Sequence, residues 1–170
     1  SKPQRGSVFI LCIPTISSSS PNNAIQGNQL STQIRIKENL NFLVVDDVVW
    51  NAQVFINYLQ RLKGQTISAT NGDEAVEKYK EAHLQKEPID VIIMDYDMPV
   101  MNGKEAVINI RKYEKTKNLK PAFIIIVTGH VDQSIISECL NLEDGLGANS
   151  FLKKPVTFEQ ISLVLSRANL

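Results

Sequence analysis

The chain has 170 residues, which is enough for one domain of ordinary size and too few for two. Lysine and arginine together number 18, as do aspartate and glutamate, so the net charge is zero and neither nucleic acid nor a membrane surface is expected as a principal partner. The two cysteines, Cys12 and Cys139, lie far apart without metal-ligand spacing, which favours reduced thiols in a cytoplasmic setting over a disulfide or a zinc site.

Residues 7–13, SVFILCI, form an apolar run that predicts a strand ending at Pro14. The run is too short to span a membrane, so we expect no direct membrane contact by this segment, although a longer parent protein could be membrane-bound. As an isolated strand it would pair with the edge of some sheet. Its sequence is also similar to the last strand of the ATP-binding catalytic domain of histidine kinases, which implies that residues 1–14 are the tail of such a domain.

Residues 15–38 differ from the rest of the chain in composition. They are rich in Ser, Asn and Gln, include four consecutive serines at 17–20 and contain few large apolar residues. Such a segment buries too little apolar surface to offset the entropy that is lost on ordering. We therefore predict a flexible linker over 15–38 and a folded domain over 39–170.

The folded domain alternates short apolar runs with helical patterns. The predicted strands comprise residues 41–45, 65–69, 90–94, 123–127 and 149–152. The predicted helices comprise residues 48–62, 71–84, 103–115, 131–142 and a last helix that begins after the Thr157 and Gln160 capping box. Five strands alternating with five helices predict a parallel sheet covered on both faces, a doubly wound flavodoxin-like (βα)5 fold with strand order 2-1-3-4-5.

Polar side chains follow several of the predicted strands. Asp46 and Asp47 come after the first strand, Asp95 after the third and Thr128 after the fourth, and the fifth ends in Lys153 and Lys154. Ligands in doubly wound sheets bind outside the carboxyl ends of the strands, at the point where strands 1 and 3 are neighbours. We therefore expect Asp47 and Asp95 to converge at this edge, and we expect Lys153 to be solvated.

Three carboxylates at one edge repel each other unless a cation neutralises them. Ligand sets made only of oxygen favour Mg²⁺, which accepts a few carboxylates and keeps several waters. A carboxylate flanked by a metal, a hydroxyl and an ammonium is suited to accept a phosphoryl group, because the cations absorb charge while the carboxylate attacks in line.

These motifs resemble those of the receiver domains of two-component signalling. The matches are the Asp46-Asp47 pair, Asp95 in MDYDMPVMNG, Thr128 followed by glycine, and Lys154 followed by proline. The resemblance implies that Asp95 is the phosphorylated residue. It further implies that Asp47 and Asp95 bind Mg²⁺ with the backbone carbonyl of Asp97, and that Asp46 assists through a metal-bound water.

The resemblance also assigns roles to residues on the fourth and fifth strands. Thr128 would donate a hydrogen bond to the phosphoryl group, and Lys154 would pair with it. Phe151 falls at the switch aromatic of the family, whose rotamer is coupled to phosphorylation through the Thr128 position. From the residues alone, Phe151 is a partly buried aromatic side chain and Thr128 a turn residue.

The sequence departs from the usual receiver pattern in several places. Val48 stands where the family often has Asn. Asp97 and His130 occupy positions that influence, in the family, how readily water reaches the acyl phosphate, so the lifetime of the phosphate is left open. The segment LNLEDGLG at 140–147 is several residues longer than usual.

The first predicted helix carries two apolar faces. Its predicted core face comprises Val54, Phe55, Tyr58, Leu59 and Leu62. A second face, comprising Val49, Ala52, Gln53 and Ile56 and bordered by Trp50, predicts an interface, because clustered exposed apolar residues that include Trp often mark one. In receiver domains this surface commonly binds a histidine-containing phosphotransfer protein, and we hypothesise that it does so here.

A catalytic-domain tail, a linker and a receiver in this order resemble the C-terminal part of a hybrid histidine kinase. The resemblance implies a kinase domain in the same parent chain and a phosphorelay function for this segment. We expect the segment neither to bind ATP nor to act through a DNA-binding output domain. Two alternatives remain open at this point. Asp95 and Asp97 also resemble the Asp-x-Asp motif of haloacid-dehalogenase phosphatases, although Pro99 departs from it, and an unphosphorylated receiver-like binding module would have the same fold.

Overall fold

The computed structural model describes residues 38–130, 147–168 and 170. The elements along these residues are β1 (Asn41–Val45), α1 (Val49–Arg61), β2 (Gln65–Ala69), α2 (Gly72–Leu84), β3 (Val91–Asp95), α3 (Gly103–Lys117), β4 (Phe123–Thr128), β5 (Ser150–Lys153) and α4 (Phe158–Arg167). The helix predicted at 131–142 and the segments 1–14 and 15–37 lie outside the described residues. None of the described helices is long and apolar enough to cross a bilayer.

The five strands form one sheet of order β2-β1-β3-β4-β5, and every pair is parallel. This confirms the predicted doubly wound architecture. The register brings the carboxyl ends of the central strands level with each other, since Val45 pairs with Met94 and Asp95 pairs with Val127. The next residues along β1 and β4, Asp46 and Thr128, therefore lie at the same edge of the sheet as Asp95.

The core has two layers because the central strands are buried on both faces. On one face, alternate strand residues such as Ile92 and Ile124 pack with apolar residues of α2 and α3. On the other face, the intervening residues, such as Ile93 and Ile125, pack with α1 and α4. Every residue of β3 is buried, so Asp95 at its end is held by a strand that has little freedom to move.

Helix α1 corrects part of the predicted core face. Val54, predicted to be buried, is 44% exposed, and Ile56, predicted to lie away from the core, is half-buried and packs against it. The inward residues are Ala52, Phe55 and Leu59, which with Ile56 follow the spacing i, i+3, i+4, i+7. Tyr58 and Leu62, also predicted for the core face, are half-buried and pack against the core. Ala52 carries too little apolar surface to mark its position in the sequence, so the predicted face left it out and included Val54.

The amino end of α2 supports the loop that follows Asp95. Asn71 caps the helix by accepting a hydrogen bond from the backbone N–H of Glu74 at 2.9 Å. The backbone N–H of Gly72 donates to the carbonyl of Met101 at 2.9 Å, and a Cβ at Gly72 would come within 2.6 Å of that oxygen. A glycine at this position thus lets the helix approach the loop closely.

Leu59→Ala is expected to lower the free energy of unfolding by about 2–5 kcal/mol, because it leaves a cavity beneath a fully buried position of α1. Val54→Ala is the matched control on the same helix, and since Val54 is exposed we expect a change within about 0.5 kcal/mol. Urea denaturation of the full chain measures both values. A large loss of unfolding free energy in Val54→Ala would show that the Val54 side chain is buried, as the sequence predicted.

Glu74 predicts a pH dependence of stability. The pKa of the Glu74 carboxyl is lowered to about 2 by three hydrogen bonds. One comes from the Lys78 ammonium, and the other two come from the backbone N–H and the hydroxyl of Thr70. Because the folded-state pKa lies below the unfolded one, the stabilisation is present above about pH 4.5 and is lost as the pH falls toward 2.

We therefore expect Glu74→Gln to be less stable than the wild type by up to about 1 kcal/mol at pH 7, since the side chain is partly exposed. The difference should shrink as the pH falls from 4.5 to 3, and urea denaturation across this range measures it. Glu77→Gln, which removes an exposed carboxylate from the same helix, is the control and should change the stability at pH 7 by no more than about 0.5 kcal/mol. A constant difference between Glu74→Gln and the wild type would contradict the assignment.

Candidate active site

Three carboxylates meet at the carboxyl edge of the sheet. One carboxylate oxygen from each of Asp46, Asp47 and Asp95 lies within 4.8 Å of the other two. Among the described residues, these three side chains form a group that could bind a metal ion. Asp46 is 1% exposed and Asp95 6% exposed, whereas Asp47 is open to solvent. The predicted convergence of the strand ends is therefore what the geometry shows, with one carboxylate facing solvent and two beneath it.

Lys154 partly neutralises this acidic cluster. Its ammonium donates hydrogen bonds to Asp46 Oδ2 at 2.8 Å and to Asp95 Oδ2 at 2.7 Å. Burial raises the pKa of the Asp95 carboxyl above its ordinary value, although the hydrogen bond from Lys154 opposes this shift. Burial acts to lower the pKa of Lys154, but its two carboxylate partners outweigh this effect and leave the pKa raised. Lys154 is therefore a stable cation at neutral pH.

Local hydrogen bonds fix the Asp46 carboxylate. Its Oδ1 accepts from the backbone N–H of Val48 at 2.9 Å and from the side-chain amide of Asn51 at 3.1 Å. Asn51 was not predicted from the sequence. Its position in the first turn of the helix that follows the acidic pair is the signal that could have identified it, because a polar side chain there can reach back to the strand end. Val48 takes part through its backbone, and its own side chain is exposed.

Thr128 is fully buried at the end of β4, next to β3. Its hydroxyl contacts two acceptors, Asp97 Oδ2 at 3.3 Å and the carbonyl oxygen of His130 at 3.2 Å, and it accepts a hydrogen bond from the backbone N–H of His130 at 3.1 Å. The imidazole Nδ1 of His130 lies 3.8 Å from Asp97 Oδ2, and both side chains are exposed. The Asp97 carboxylate thus faces Thr128 and His130.

Phe151 lies within β5 and pairs in register with Ile126 of β4. Its side chain is buried and belongs to the core layer formed with α2 and α3. The aromatic ring therefore points inward in this structure. Lys153, the last residue of β5, is exposed, as expected for a solvated lysine.

The loop after β3 returns close to the backbone of Asp95. The backbone N–H of Gly103 donates to the carbonyl of Tyr96 at 3.0 Å, and a Cβ at Gly103 would collide with the carbonyl oxygen of Asp95. Asn102 caps α3 by accepting from the backbone N–H of Glu105 at 2.9 Å. The Asn-Gly pair therefore starts α3 immediately beside the acidic cluster.

The donor set fits a divalent cation that prefers oxygen ligands. Three carboxylates and one ammonium have a combined charge of −2 when Asp95 is ionised, which a single Mg²⁺ would neutralise. One of the carboxylates, Asp47, is accessible to solvent, which suits an ion that keeps several of its waters. The site thus combines a buried carboxylate, a neighbouring ammonium and the ligands for a cation.

Comparison with known proteins identifies the family of the chain. The model of the response regulator receiver domain matches residues 42–166. Hybrid signal transduction histidine kinase G of Dictyostelium discoideum is 33% identical over 140 residues, which cover 81% of this chain and 4% of that protein. The peroxide stress-activated histidine kinase mak1 of Schizosaccharomyces pombe is 29% identical over 132 residues, which cover 76% of this chain and 8% of that protein. The chain spans less than a tenth of the length of these two relatives.

Solved structures give the same result. The co-crystal structure of the Saccharomyces cerevisiae histidine phosphotransfer signaling protein Ypd1 with the receiver domain of its downstream response regulator Ssk1 matches with 29% identity and a TM-score of 0.66, covering 78% of this chain and 90% of that one. The receiver domain of the Arabidopsis thaliana histidine kinase CKI1, complexed with Mg²⁺, matches with 29% identity and a TM-score of 0.62, covering 74% and 89%. Family membership favours the receiver interpretation over the phosphatase one. The chain belongs to the response regulator receiver domain family.

Proposed function

We propose that this chain is a phosphorelay receiver that accepts a phosphoryl group from a phosphohistidine onto Asp95 in the presence of Mg²⁺ and passes it to a histidine phosphotransfer protein. The observation that carries the proposal is the ammonium of Lys154, which lies 2.7 Å from the buried Asp95 carboxylate inside an acidic cluster. An ammonium beside a nucleophilic carboxylate neutralises the charge of an incoming phosphoryl group. Membership of the receiver family supports the same assignment.

In the proposed transfer, one oxygen of the Asp95 carboxylate forms a bond to phosphorus while the bond from phosphorus to the donor imidazole nitrogen breaks. That nitrogen keeps the bonding electron pair and takes up a proton from solvent, so the donor returns to a neutral histidine. Lys154 stabilises the charge on the phosphoryl oxygens, since its ammonium already contacts Asp95. Thr128, at the end of the neighbouring strand, donates a hydrogen bond from its hydroxyl to a phosphoryl oxygen, and Phe151 acts as the switch residue coupled to Thr128.

The metal ligands in this proposal are Asp46, Asp47 and Asp95 together with the backbone carbonyl of Asp97. The mutual proximity of the three carboxylates supports this set, as does the Mg²⁺ complex of the similar CKI1 receiver. A bound Mg²⁺ would neutralise charge on the phosphoryl group and on the cluster. Asp46 already accepts hydrogen bonds from Val48, Asn51 and Lys154, so we assign it a contact through a metal-bound water.

The proposed partner surface comprises Val49, Trp50, Gln53 and Ile56 at the start of α1. Val49 and Trp50 are exposed, Trp50 by 81%, whereas Ile56 is half-buried and contributes less contact area. Val54 is exposed on the same helix and extends the apolar surface. These residues follow directly after Asp46 and Asp47, so a partner bound to them would have its histidine close to the site. The similar Ssk1 receiver was crystallised with the phosphotransfer protein Ypd1, which supports a partner of this class.

We further propose that the chain is part of a cytoplasmic region of a hybrid histidine kinase, with residues 1–14 as the tail of its catalytic domain and 15–38 as the linker. The hybrid histidine kinases among the similar proteins support this context. A kinase domain of the same parent chain would then be the source of the phosphoryl group.

Phosphorylation of Asp95 is tested by incubating the chain with Mg²⁺ and acetyl phosphate and following the labelled protein by mass spectrometry. We expect one acid-stable, base-labile phosphate that is absent in Asp95→Asn. Lys154→Met should reduce the rate of labelling on the order of 100-fold, because it removes a preorganised charge that stabilises the transferring group. Asp47→Asn should raise the Mg²⁺ concentration needed for labelling.

Asp73→Asn, an exposed carboxylate on α2, is the matched control and should label like the wild type. Label that persists in Asp95→Asn would rule out Asp95 as the acceptor. Repeated turnover of phosphomonoesters would favour the phosphatase instead. A folded protein that takes no label from acetyl phosphate or from a phosphorylated Ypd1 would be an inert binding module.

The partner surface predicts a separation of binding from chemistry. Trp50→Ala should weaken binding to Ypd1, used as a phosphotransfer probe, by about 10-fold or more, because a large exposed aromatic is a typical interface hot spot. Labelling by acetyl phosphate should be unchanged. Leu84→Ala removes a similarly exposed apolar side chain from α2 and should change neither property. Equal affinity of Trp50→Ala and the wild type, measured by calorimetry, would remove Trp50 from the interface.

A further inference from the structure

A second polar cluster lies on α3 and is separate from the acidic site. Its centre is the guanidinium of Arg111, whose three nitrogens all donate hydrogen bonds. Nε donates to the carbonyl of Gly147 at 3.0 Å, and Nη2 donates to the side-chain oxygen of Asn149 at 2.8 Å. Nη1 donates to Glu114 Oε2 at 2.7 Å and to the carbonyl of Ala122 at 3.0 Å. One side chain thus connects α3 to the segments that lead into β4 and β5.

Glu114 holds the guanidinium in place. This carboxylate is buried, and it also accepts hydrogen bonds from the Tyr79 hydroxyl at 2.7 Å and from the backbone N–H of Ala122 at 2.8 Å. A buried carboxylate with three donors is strongly oriented. Arg111 is therefore anchored on one side to the rigid α2–α3 layer, and it presents its remaining donors to the chain before β5.

The contacts of Arg111 fix the start of β5. Asn149 also exchanges hydrogen bonds with Ile124, by accepting from its backbone N–H and by donating its own backbone N–H to the Ile124 carbonyl, both at 2.8 Å. Gly147 has a φ of 68°, and a Cβ at this position would lie 3.5 Å from the Arg111 side chain. The guanidinium therefore holds two points of the chain directly before the first residue of β5.

Strand β5 has only four residues and pairs with β4 alone among the described strands. Lys154 follows it immediately, and its ammonium lies within 2.8 Å of two carboxylates. A slip of one residue in the β4–β5 register would move Lys154 by about 3.3 Å and turn Phe151 to the opposite face. Hydrogen bonds of this length do not survive such a displacement.

We propose that Arg111 is a positioning residue for Lys154: it locks the start of β5 and thereby sets the ammonium between Asp46 and Asp95. The consequence for phosphoryl transfer rests on the proposed function. The effect on the position of Lys154 does not, because it follows from the resting geometry. Arg111→Lys should not keep this function, since a single ammonium cannot make the divergent hydrogen bonds to Gly147, Asn149 and Glu114.

The position of Lys154 can be measured without any phosphodonor. Limited reductive methylation followed by mass spectrometry compares the labelling rate of Lys154 with that of the exposed Lys153 beside it. In the wild type we expect Lys154 to react about tenfold more slowly than Lys153, because two carboxylates enclose its ammonium. Arg111→Met should raise the Lys154 rate several-fold toward that of Lys153, and Arg111→Lys should behave like Arg111→Met. Lys112→Met, an exposed neighbour, should leave the ratio unchanged.

A second measurement connects this position to the chemistry. With acetyl phosphate and Mg²⁺, Arg111→Met should slow labelling of Asp95 about tenfold in the wild-type background, since small displacements of a catalytic group reduce rates strongly. Arg111→Met should not slow labelling further in the Lys154→Met background. Equal losses in both backgrounds would show that Arg111 acts on the fold and not through Lys154.

Folding is monitored by thermal denaturation in each case. If Arg111→Met does not fold, Arg111→Lys, which keeps a positive charge beside the buried Glu114 carboxylate but loses the divergent bonds, takes its place in both measurements. An unchanged ratio of Lys154 to Lys153 methylation in a folded variant would overturn the proposal. If the ratio changes but the wild type takes no phosphate, the positioning role stands and the proposed function fails.

Discussion

The contact between the Lys154 ammonium and the carboxylates of Asp46 and Asp95 is the interaction around which the carboxyl edge of this sheet is arranged. Two buried carboxylates side by side repel each other and lose hydration, and a buried charge is tolerated only when it is paired and hydrogen-bonded. Asp46 directly follows β1, Asp95 is the last residue of β3, and Lys154 directly follows β5. A displacement of β1, β3 or β5 would therefore separate the Lys154 ammonium from at least one buried carboxylate.

Much of this edge could be predicted from the sequence because each contributing residue lies within two residues of the end of a short apolar run. The runs locate the strands, the alternation with helices makes the strands parallel, and parallel strands place their carboxyl ends at one edge. Asp46, Asp47, Asp95, Thr128 and Lys154 therefore needed no knowledge of side-chain packing. The roles given to these residues in phosphoryl transfer came from the family resemblance and stay proposals.

Other features depend on side-chain packing, which a linear pattern does not encode. The buried face of α1 includes Ala52, whose small side chain gives no hydrophobic signal, and so Val54 was misplaced. Asn51 and Arg111 act through long-range hydrogen bonds. In the sequence they look like ordinary polar residues of helices. The sequence also did not predict where the Asp97 carboxylate points, because the resemblance assigned a role only to its backbone carbonyl.

The hydroxyl of Thr128 has a single hydrogen and faces two oxygen acceptors, Asp97 Oδ2 and the His130 carbonyl. A hydroxyl can satisfy only one of them at a time. A phosphoryl oxygen on Asp95 would be a third acceptor competing for the same hydrogen. Phosphorylation of Asp95, as proposed, would in this way cost Thr128 its hydrogen bond to Asp97 or to His130. One hydroxyl hydrogen would then link the occupancy of Asp95 to the contacts that Thr128 makes with two exposed neighbours, Asp97 and His130.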